Sequence, residues 1–163
     1  MIFNRKIHNL NHFIKSVLGR TEYILSGLTY PTGELIVVNY HGTQKKFLDS
    51  FLRQLDFFLQ HFKIIHPKKV ESYFNGTLPH EKPFLLINFD DGIKNNLYAV
   101  NAMNQMGIKA MFFVVPDFID TPAENQKKYF ITNIRPVINP NIDSEEEDFI
   151  PMRWDELQDL VRQ

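Results

Sequence analysis

Three short apolar runs along the chain have the length and composition of β-strands that are buried on both faces. They cover residues 35–39, 84–89 and 110–115. The run at 84–89 is the most sharply bounded, because it stops at two aspartates and a glycine, residues 90–92. The glycine permits a tight turn, so the two carboxylates are expected at the carboxyl end of a buried strand.

Helical periodicity separates these predicted strands. Apolar residues recur at three- and four-residue steps from 47 to 62 and again from 97 to 106. We interpret the first stripe as core packing and expect Thr43 to cap its helix. The alternation of strand, helix and strand over 84–115 is a βαβ unit, which implies a parallel sheet that the elements at 35–62 extend.

The N-terminal segment has a different character. Residues 4–18 predict an amphipathic helix that contains basic residues and no acidic residue. Two interpretations stay open: a terminal helix packed on its own domain, and a basic helix in peripheral contact with an anionic membrane. His8 and His12 would share a helical face, where a solvated pair is the simpler interpretation. We therefore separate a helix and linker at 1–30 from a domain at 31–163.

The stretch from 117 to 150 shows no convincing periodicity, contains several prolines and has more acidic than basic residues. Loops of this length are usually functional or disordered. The acidic run at 145–148 is interpreted as a solvated surface, with calcium binding as a remote alternative. A further amphipathic helix is predicted to start near Pro151 and to reach the last residue, Gln163.

Composition narrows the function classes. With 163 residues and 44% hydrophobic residues, the chain can form one domain with a real core. Its formal net charge of −1 argues against nucleic acid as a partner. The absence of cysteine leaves Asp, Glu and His as metal ligands. No apolar run long enough to span a membrane and no secretory leader is evident, so a cytoplasmic or inner-membrane peripheral location is favoured over secretion.

Adjacent carboxylates carry the clearest chemical signal. Asp90 and Asp91 repel each other when both are ionised, so they call for a cation or a shared proton. In parallel α/β folds, ligands collect at the carboxyl ends of the strands. If the strands at 35–39 and 84–89 are parallel, His41 emerges beside the pair. It would then either line a site or stabilise a strand end, and both interpretations stay open. A phosphatase-type aspartate nucleophile is a weak alternative, because that pattern places one residue between its two aspartates.

Five segments in a fixed order resemble the polysaccharide deacetylases of carbohydrate esterase family 4, the chitooligosaccharide deacetylase homology group. Residues 88–92 are similar to the family's first motif, Thr-Phe-Asp-Asp-Gly, with asparagine at the opening position. The other four are the Tyr-His at the end of the first strand (38–42), the helix at 45–62, the Gly-x-x-Ala-Thr-Phe-Phe-Val-like strand (107–114) and the Trp-Asp-Glu-Leu segment (152–157). An isolated Asp-Asp-Gly is also ordinary turn chemistry, whereas five ordered matches over 35–163 are specific.

The resemblance implies an α/β fold, a deformed parallel β/α barrel, and a metal-dependent hydrolase that removes N-acetyl groups from an N-acetylated oligo- or polysaccharide. By this likeness Asp90 is the general base that activates water. Asp91 is the metal-binding carboxylate, and zinc is the expected metal. A divalent ion polarises the amide carbonyl and lowers the pKa of bound water, while a nearby carboxylate takes the proton. Residues that bind the substrate are not assigned.

The family's second motif, His-Ser/Thr-x-x-His, supplies two more metal ligands and would follow residue 163. We therefore expect an incomplete barrel in 31–163, with little activity alone and a tendency to self-associate through unpaired sheet edges. The alternative is a catalytically degenerate carbohydrate-binding or interaction domain of the same fold.

Overall fold

The computed structural model describes residues 32–79, 81–136 and 145–162. The N-terminal helix predicted at 4–18, including His8 and His12, lies outside the described residues. The proposed membrane contact of this helix and the division of the chain at residue 30 therefore stay predictions.

A parallel sheet organises the described residues. Its strands are β1 (Leu35–Tyr40), β2 (Lys63–Ile64), β3 (Phe84–Phe89) and β4 (Met111–Phe112). β1 pairs with the whole of β3 along one edge. β2 and β4 share the other edge, β2 beside the start of β3 and β4 beside its end. The prediction of a parallel α/β arrangement is confirmed.

Helices and helical turns fill the connections between the strands. In chain order they are a 3-10 turn (Lys45–Phe47), α1 (Leu48–His61), a 3-10 turn (Pro67–Lys69), α2 (Val70–Phe74), α3 (Asn96–Gln105), α4 (Pro116–Ile119), α5 (Ala123–Tyr129), a π-helical turn (Phe130–Ile134), a 3-10 turn (Glu146–Phe149) and α6 (Trp154–Arg162). The helices predicted from the two periodic stripes and after Pro151 are confirmed. None of the helices in the described ranges is both long and apolar enough to cross a membrane.

An aromatic layer joins the sheet to α1. The ring of Phe89 on β3 stacks on Tyr40 of β1 and on Phe112 of β4, with centroid separations of 5.4 and 4.9 Å. Phe51 of α1 meets the Tyr40 ring edge-on at 5.2 Å. Burying each such ring contributes roughly 1.5–3 kcal/mol, so this layer fixes how β1, β3 and α1 sit against one another.

The α1 stripe is only partly core. Phe51, Leu55 and Phe62 are 6% exposed or less, but Phe47 and Leu59 are 54% and 43% exposed. The interpretation of the whole stripe as core packing is therefore wrong for its margins, because only one side of the helix faces the sheet.

Two further sequence expectations need correction. The strand expected at 110–115 is shorter, Met111–Phe112, because Phe112 already lies opposite Phe89, the last residue of β3; Phe113 adds one hydrogen bond, from its N–H to the Phe89 carbonyl at 2.8 Å. Thr43 does not cap the helix. The first 3-10 turn has Gln44 at its N-cap, and the Thr43 hydroxyl is buried without a hydrogen-bond partner among the described residues.

The segment after β4 is ordered around aromatic anchors. Phe118, Phe130 and Phe149 pack with Ile93 in a second core, so 116–119, 123–134 and 146–149 are helical where irregular chain was expected. The three phenylalanines come from three different short elements, and that arrangement leaves no periodic stripe in the sequence. The solvated-surface interpretation of the run at 145–148 is also wrong in part, since the Glu145 and Asp148 side chains form a reciprocal capping box.

The sheet edges generate a prediction about association. Among the described strands, β1 and β4 each pair only with β3, and Val37 on β1 is 50% exposed. Open edges with exposed apolar side chains favour pairing between chains. We expect the 163-residue chain to form oligomers in sedimentation velocity at about 100 μM, a range in which exposed strand edges drive association. A single monomeric species at that concentration would contradict this expectation.

The buried Tyr40 hydroxyl should make the stability of the fold decrease at alkaline pH. Burial raises its pKa from 10.0 to about 12, and its hydroxyl donates to Gln54 Oε1 at 2.8 Å. The unfolded chain loses this proton first, so the stabilisation is complete below the unfolded pKa of 10.0 and is lost as pH rises towards about 12. Tyr40→Phe should cost about 1 kcal/mol at neutral pH through the lost hydrogen bond.

The difference between wild type and this variant should then shrink as the pH is raised above about 10. Urea unfolding of both proteins across this range measures the difference at each pH. A constant difference would show that Tyr40 titrates alike in the folded and unfolded chains.

Candidate active site

The register between β1 and β3 brings two strand ends together. Tyr40 lies opposite Phe89, so the residues that follow each of them leave the sheet at the same edge. The Asp90 backbone N–H donates to the Tyr40 carbonyl at 2.8 Å, which continues the pairing one step further. The three residues singled out from the sequence, His41, Asp90 and Asp91, therefore meet at one place.

Asp90 has a neutral hydrogen-bond donor of its own. Asn39 Nδ2 donates to Asp90 Oδ2 at 2.6 Å. Asn39 was not assigned to the site from the sequence, although the alternation of side chains along paired strands predicts that it lies near Asp90. It is paired with Asn88, and Asp90 lies two residues beyond Asn88, on the same face of the sheet.

Asp91 has an unusual backbone conformation. Its φ is 67°, in the left-handed region, and Gly92 follows with a φ of 64°. A non-glycine residue held there typically costs about 1–3 kcal/mol, and such strain concentrates at functional sites. Residues 150–152 hold this turn through two backbone hydrogen bonds. Met152 N–H donates to the Gly92 carbonyl and Lys94 N–H donates to the Ile150 carbonyl, both at 2.8 Å.

Arg135 supplies a cation to Asp91. Its Nε and Nη2 donate to Asp91 Oδ2 at 3.2 and 3.1 Å. The side chains of Arg135 and Asp91 are 30% and 18% exposed, so solvent only partly screens the pair. Sequence reasoning missed Arg135, because it lies 44 residues from Asp91 in a segment without periodicity.

His41 faces both carboxylates. Its Nδ1 lies 3.5 Å from Asp91 Oδ2 and 3.8 Å from Asp90 Oδ2, and its side chain is 48% exposed. Of the two interpretations left open from the sequence, the one in which His41 lines the site agrees with this geometry.

The site offers donor atoms of two kinds to a divalent metal ion. Carboxylate and imidazole are donors that zinc accepts, and two ligands of a tetrahedral zinc ion lie about 3.3 Å apart. The 3.5 Å between His41 Nδ1 and Asp91 Oδ2 is close to that spacing. Within the described ranges, however, no group of three or more His, Cys, Asp or Glu side chains could hold a metal ion. The donor types therefore fit a metal, while the described residues alone do not supply the three protein ligands that a catalytic zinc site usually has.

The Arg135–Asp91 pair predicts a stability effect that depends on salt. Arg135→Gln leaves two adjacent carboxylates with less compensating charge, so we expect a loss of about 1 kcal/mol in unfolding free energy. The loss should be larger at about 20 mM than at about 500 mM NaCl, because salt screens the remaining repulsion. Urea denaturation at both salt concentrations measures it. Arg153→Gln is the matched control, since Arg153 is 61% exposed and its ion-pair partners among the described residues, Asp155 and Glu156, are local. Equal losses in the two variants would contradict a particular role for Arg135.

Comparisons with known proteins show which fold this chain resembles. No protein-family model matches the sequence, and a search of curated proteins gave no match. Among solved structures, IcaB from Ammonifex degensii matches with a TM-score of 0.57 and 20% identity, over 79% of this chain and 48% of that chain. The BpsB deacetylase domain from Bordetella bronchiseptica matches with a TM-score of 0.50 and 17% identity, over 80% and 51%. The chain thus spans about half the length of these two structures. At such identities the likeness concerns the fold, and the chain has a polysaccharide deacetylase-like fold.

Proposed function

We propose that the chain carries part of the active site of a metal-dependent hydrolase that removes N-acetyl groups from an N-acetylated sugar or polysaccharide. The observation that supports this most is the pair Asp90 and Asp91 at the carboxyl edge of a parallel sheet, in a polysaccharide deacetylase-like fold. Each aspartate has a different partner, Asn39 for Asp90 and Arg135 for Asp91. This difference suits two carboxylates with separate tasks.

Asp90 is the proposed general base. Asn39 engages its Oδ2, so the attacking water is expected at Oδ1. Its side chain is 30% exposed, which leaves room for water to approach. In the overall reaction water adds its oxygen to the acetyl carbon, the carbon–nitrogen bond breaks, and the proton taken from water ends on the amine of the sugar. A positioned base typically contributes about 10²–10⁴-fold to such a step.

Asp91 is the proposed metal ligand, with the remaining ligands outside the described residues. A bound zinc ion would supply Lewis-acid polarisation of the amide carbonyl and lower the pKa of a water molecule. The left-handed backbone at Asp91 directs its carboxylate towards Arg135 and His41. Arg135 orients that carboxylate and offsets its charge beside Asp90.

A second candidate function is a catalytically degenerate domain that binds N-acetylated carbohydrate or another protein. The observation that favours it is the absence, in the described part of the chain, of a complete set of metal-ligating side chains. The two candidates differ in turnover and in their need for metal.

Acetate release tests the enzymatic proposal. The assay uses the longest polypeptide that the coding sequence specifies, with N-acetylglucosamine oligomers and added zinc or cobalt. Asp90→Asn should reduce the rate by at least about 100-fold, because the amide cannot accept the proton from water. Asp117→Asn is the matched control, since Asp117 is an exposed acid in α4 and should leave the rate unchanged.

Undiminished release by Asp90→Asn would contradict its role as the base. Full activity after dialysis against a chelator would contradict the metal requirement. Saturable oligomer binding without any acetate release would favour the degenerate domain.

A further inference from the structure

Asp148 is the part-buried acid at the centre of a hydrogen-bond network near the candidate site. Its Oδ1 accepts from Asn95 Nδ2 at 2.6 Å. Its Oδ2 accepts from the backbone N–H of Glu145 at 2.8 Å and from Gln44 Nε2. Both oxygens of one carboxylate are thus engaged, by groups from three separate segments of the chain. Such charge-assisted bonds are about twice as strong as bonds between neutral groups.

Asn95 relays this contact to the turn after β1. It is 2% exposed, and while its Nδ2 donates to Asp148, its Oδ1 accepts from the backbone N–H of Thr43 at 3.0 Å. The carboxylate at 148 fixes which way the Asn95 amide points, because an ionised carboxylate only accepts hydrogen bonds. The Asn95 oxygen is therefore held towards Thr43.

The turn at residues 41–44 is held by these contacts along its length. Asn96 Nδ2 donates to the His41 carbonyl at 3.4 Å, and Gln44 reaches Asp148 directly. Gly42 packs so closely on Asn95 that a Cβ there would lie 3.1 Å from Asn95 Oδ1. The His41 side chain, at 48% exposure, has little packing of its own, so its position depends on the backbone of this turn.

We propose that Asp148 is a positioning residue, which through Asn95 and Gln44 holds the turn at 41–44 so that the His41 imidazole lies beside Asp90 and Asp91. The consequence for catalysis rests on the proposed deacetylase function, whereas the positioning does not. A purely local role is the competing explanation, because Asp148 also takes part in the capping box with Glu145. A local cap would affect residues 145–149 and leave the turn at 41–44 unchanged.

A reciprocal exchange of side chains separates the two explanations. Asn95→Asp places two carboxylates against each other, and Asp148→Asn puts an amide donor where Oδ1 or Oδ2 accepts. The double variant restores one hydrogen bond between positions 95 and 148, with its direction reversed. The new amide at 148 donates to one oxygen of the carboxylate at 95, and the other oxygen accepts from the Thr43 N–H. The net charge of the double variant equals that of the wild type. Glu146→Gln is the matched control, since Glu146 is an exposed acid in the same run.

Amide hydrogen exchange by NMR on the 163-residue chain gives the first result. Each single variant should speed exchange at the Thr43 N–H by about tenfold relative to the Ile87 N–H, which reports global unfolding from the buried β3. The double variant should return to within about threefold of wild type. The His41 imidazole resonances should shift in both single variants, stay in place in Glu146→Gln and return in the double variant. The turn at 41–44 would not respond in this way to the loss of a cap at 145–149.

Unchanged Thr43 exchange in the single variants would overturn the proposal. So would a double variant that is unfolded or keeps fast exchange at Thr43. Where the wild type releases acetate, the single variants should lower kcat with little change in KM, and the double variant should recover kcat. No acetate release by the longest polypeptide that the coding sequence specifies would refute the deacetylase function, while the exchange data would still decide the positioning.

Discussion

The parallel pairing of β1 with β3 is the constraint on which the candidate site depends. A shift of one residue would turn every β1 side chain to the opposite face of the sheet. Asn39 would then point away from Asp90, and the turn at His41 would be displaced relative to the aspartates. The register is held from the other face, where Tyr40, Phe51 and Phe89 pack together. Aromatic packing on the face of the sheet that contacts α1 thus determines how far Asn39 and His41 lie from the two aspartates.

The second requirement is electrostatic. Two carboxylates on consecutive residues must both be compensated, and the structure compensates them differently. Asp90 receives a neutral amide and Asp91 a guanidinium, while His41 faces both. The donated hydrogen bonds and the guanidinium charge offset the repulsion between the two neighbouring carboxylates. The partners come from β1 and from the segment beyond α5, so the site forms only when distant parts of the chain are folded together.

Sequence patterns predicted the features that depend on residues close to one another in the sequence. The parallel alternation, the helices α1 and α3, and the place where Asp90 and Asp91 leave the sheet all follow from local periodicity and from glycine. Arg135 and Asp148 were missed for the opposite reason, because their partners lie 44 and 53 residues away and no repeat marks them. Asn88 illustrates another limit. It stands where the family pattern has threonine, and its buried Oδ1 has no hydrogen-bond partner in the described part of the chain, which the sequence does not reveal.

The left-handed backbone at Asp91 also limits how this position can change in evolution. A φ of 67° costs glycine nothing and costs asparagine and aspartate less than other residues, whereas alanine would be more strained. A chain that loses the carboxylate at this position should therefore do so through asparagine or glycine, with little penalty to folding. In related chains, asparagine or glycine after the first aspartate would remove this carboxylate and leave the fold intact.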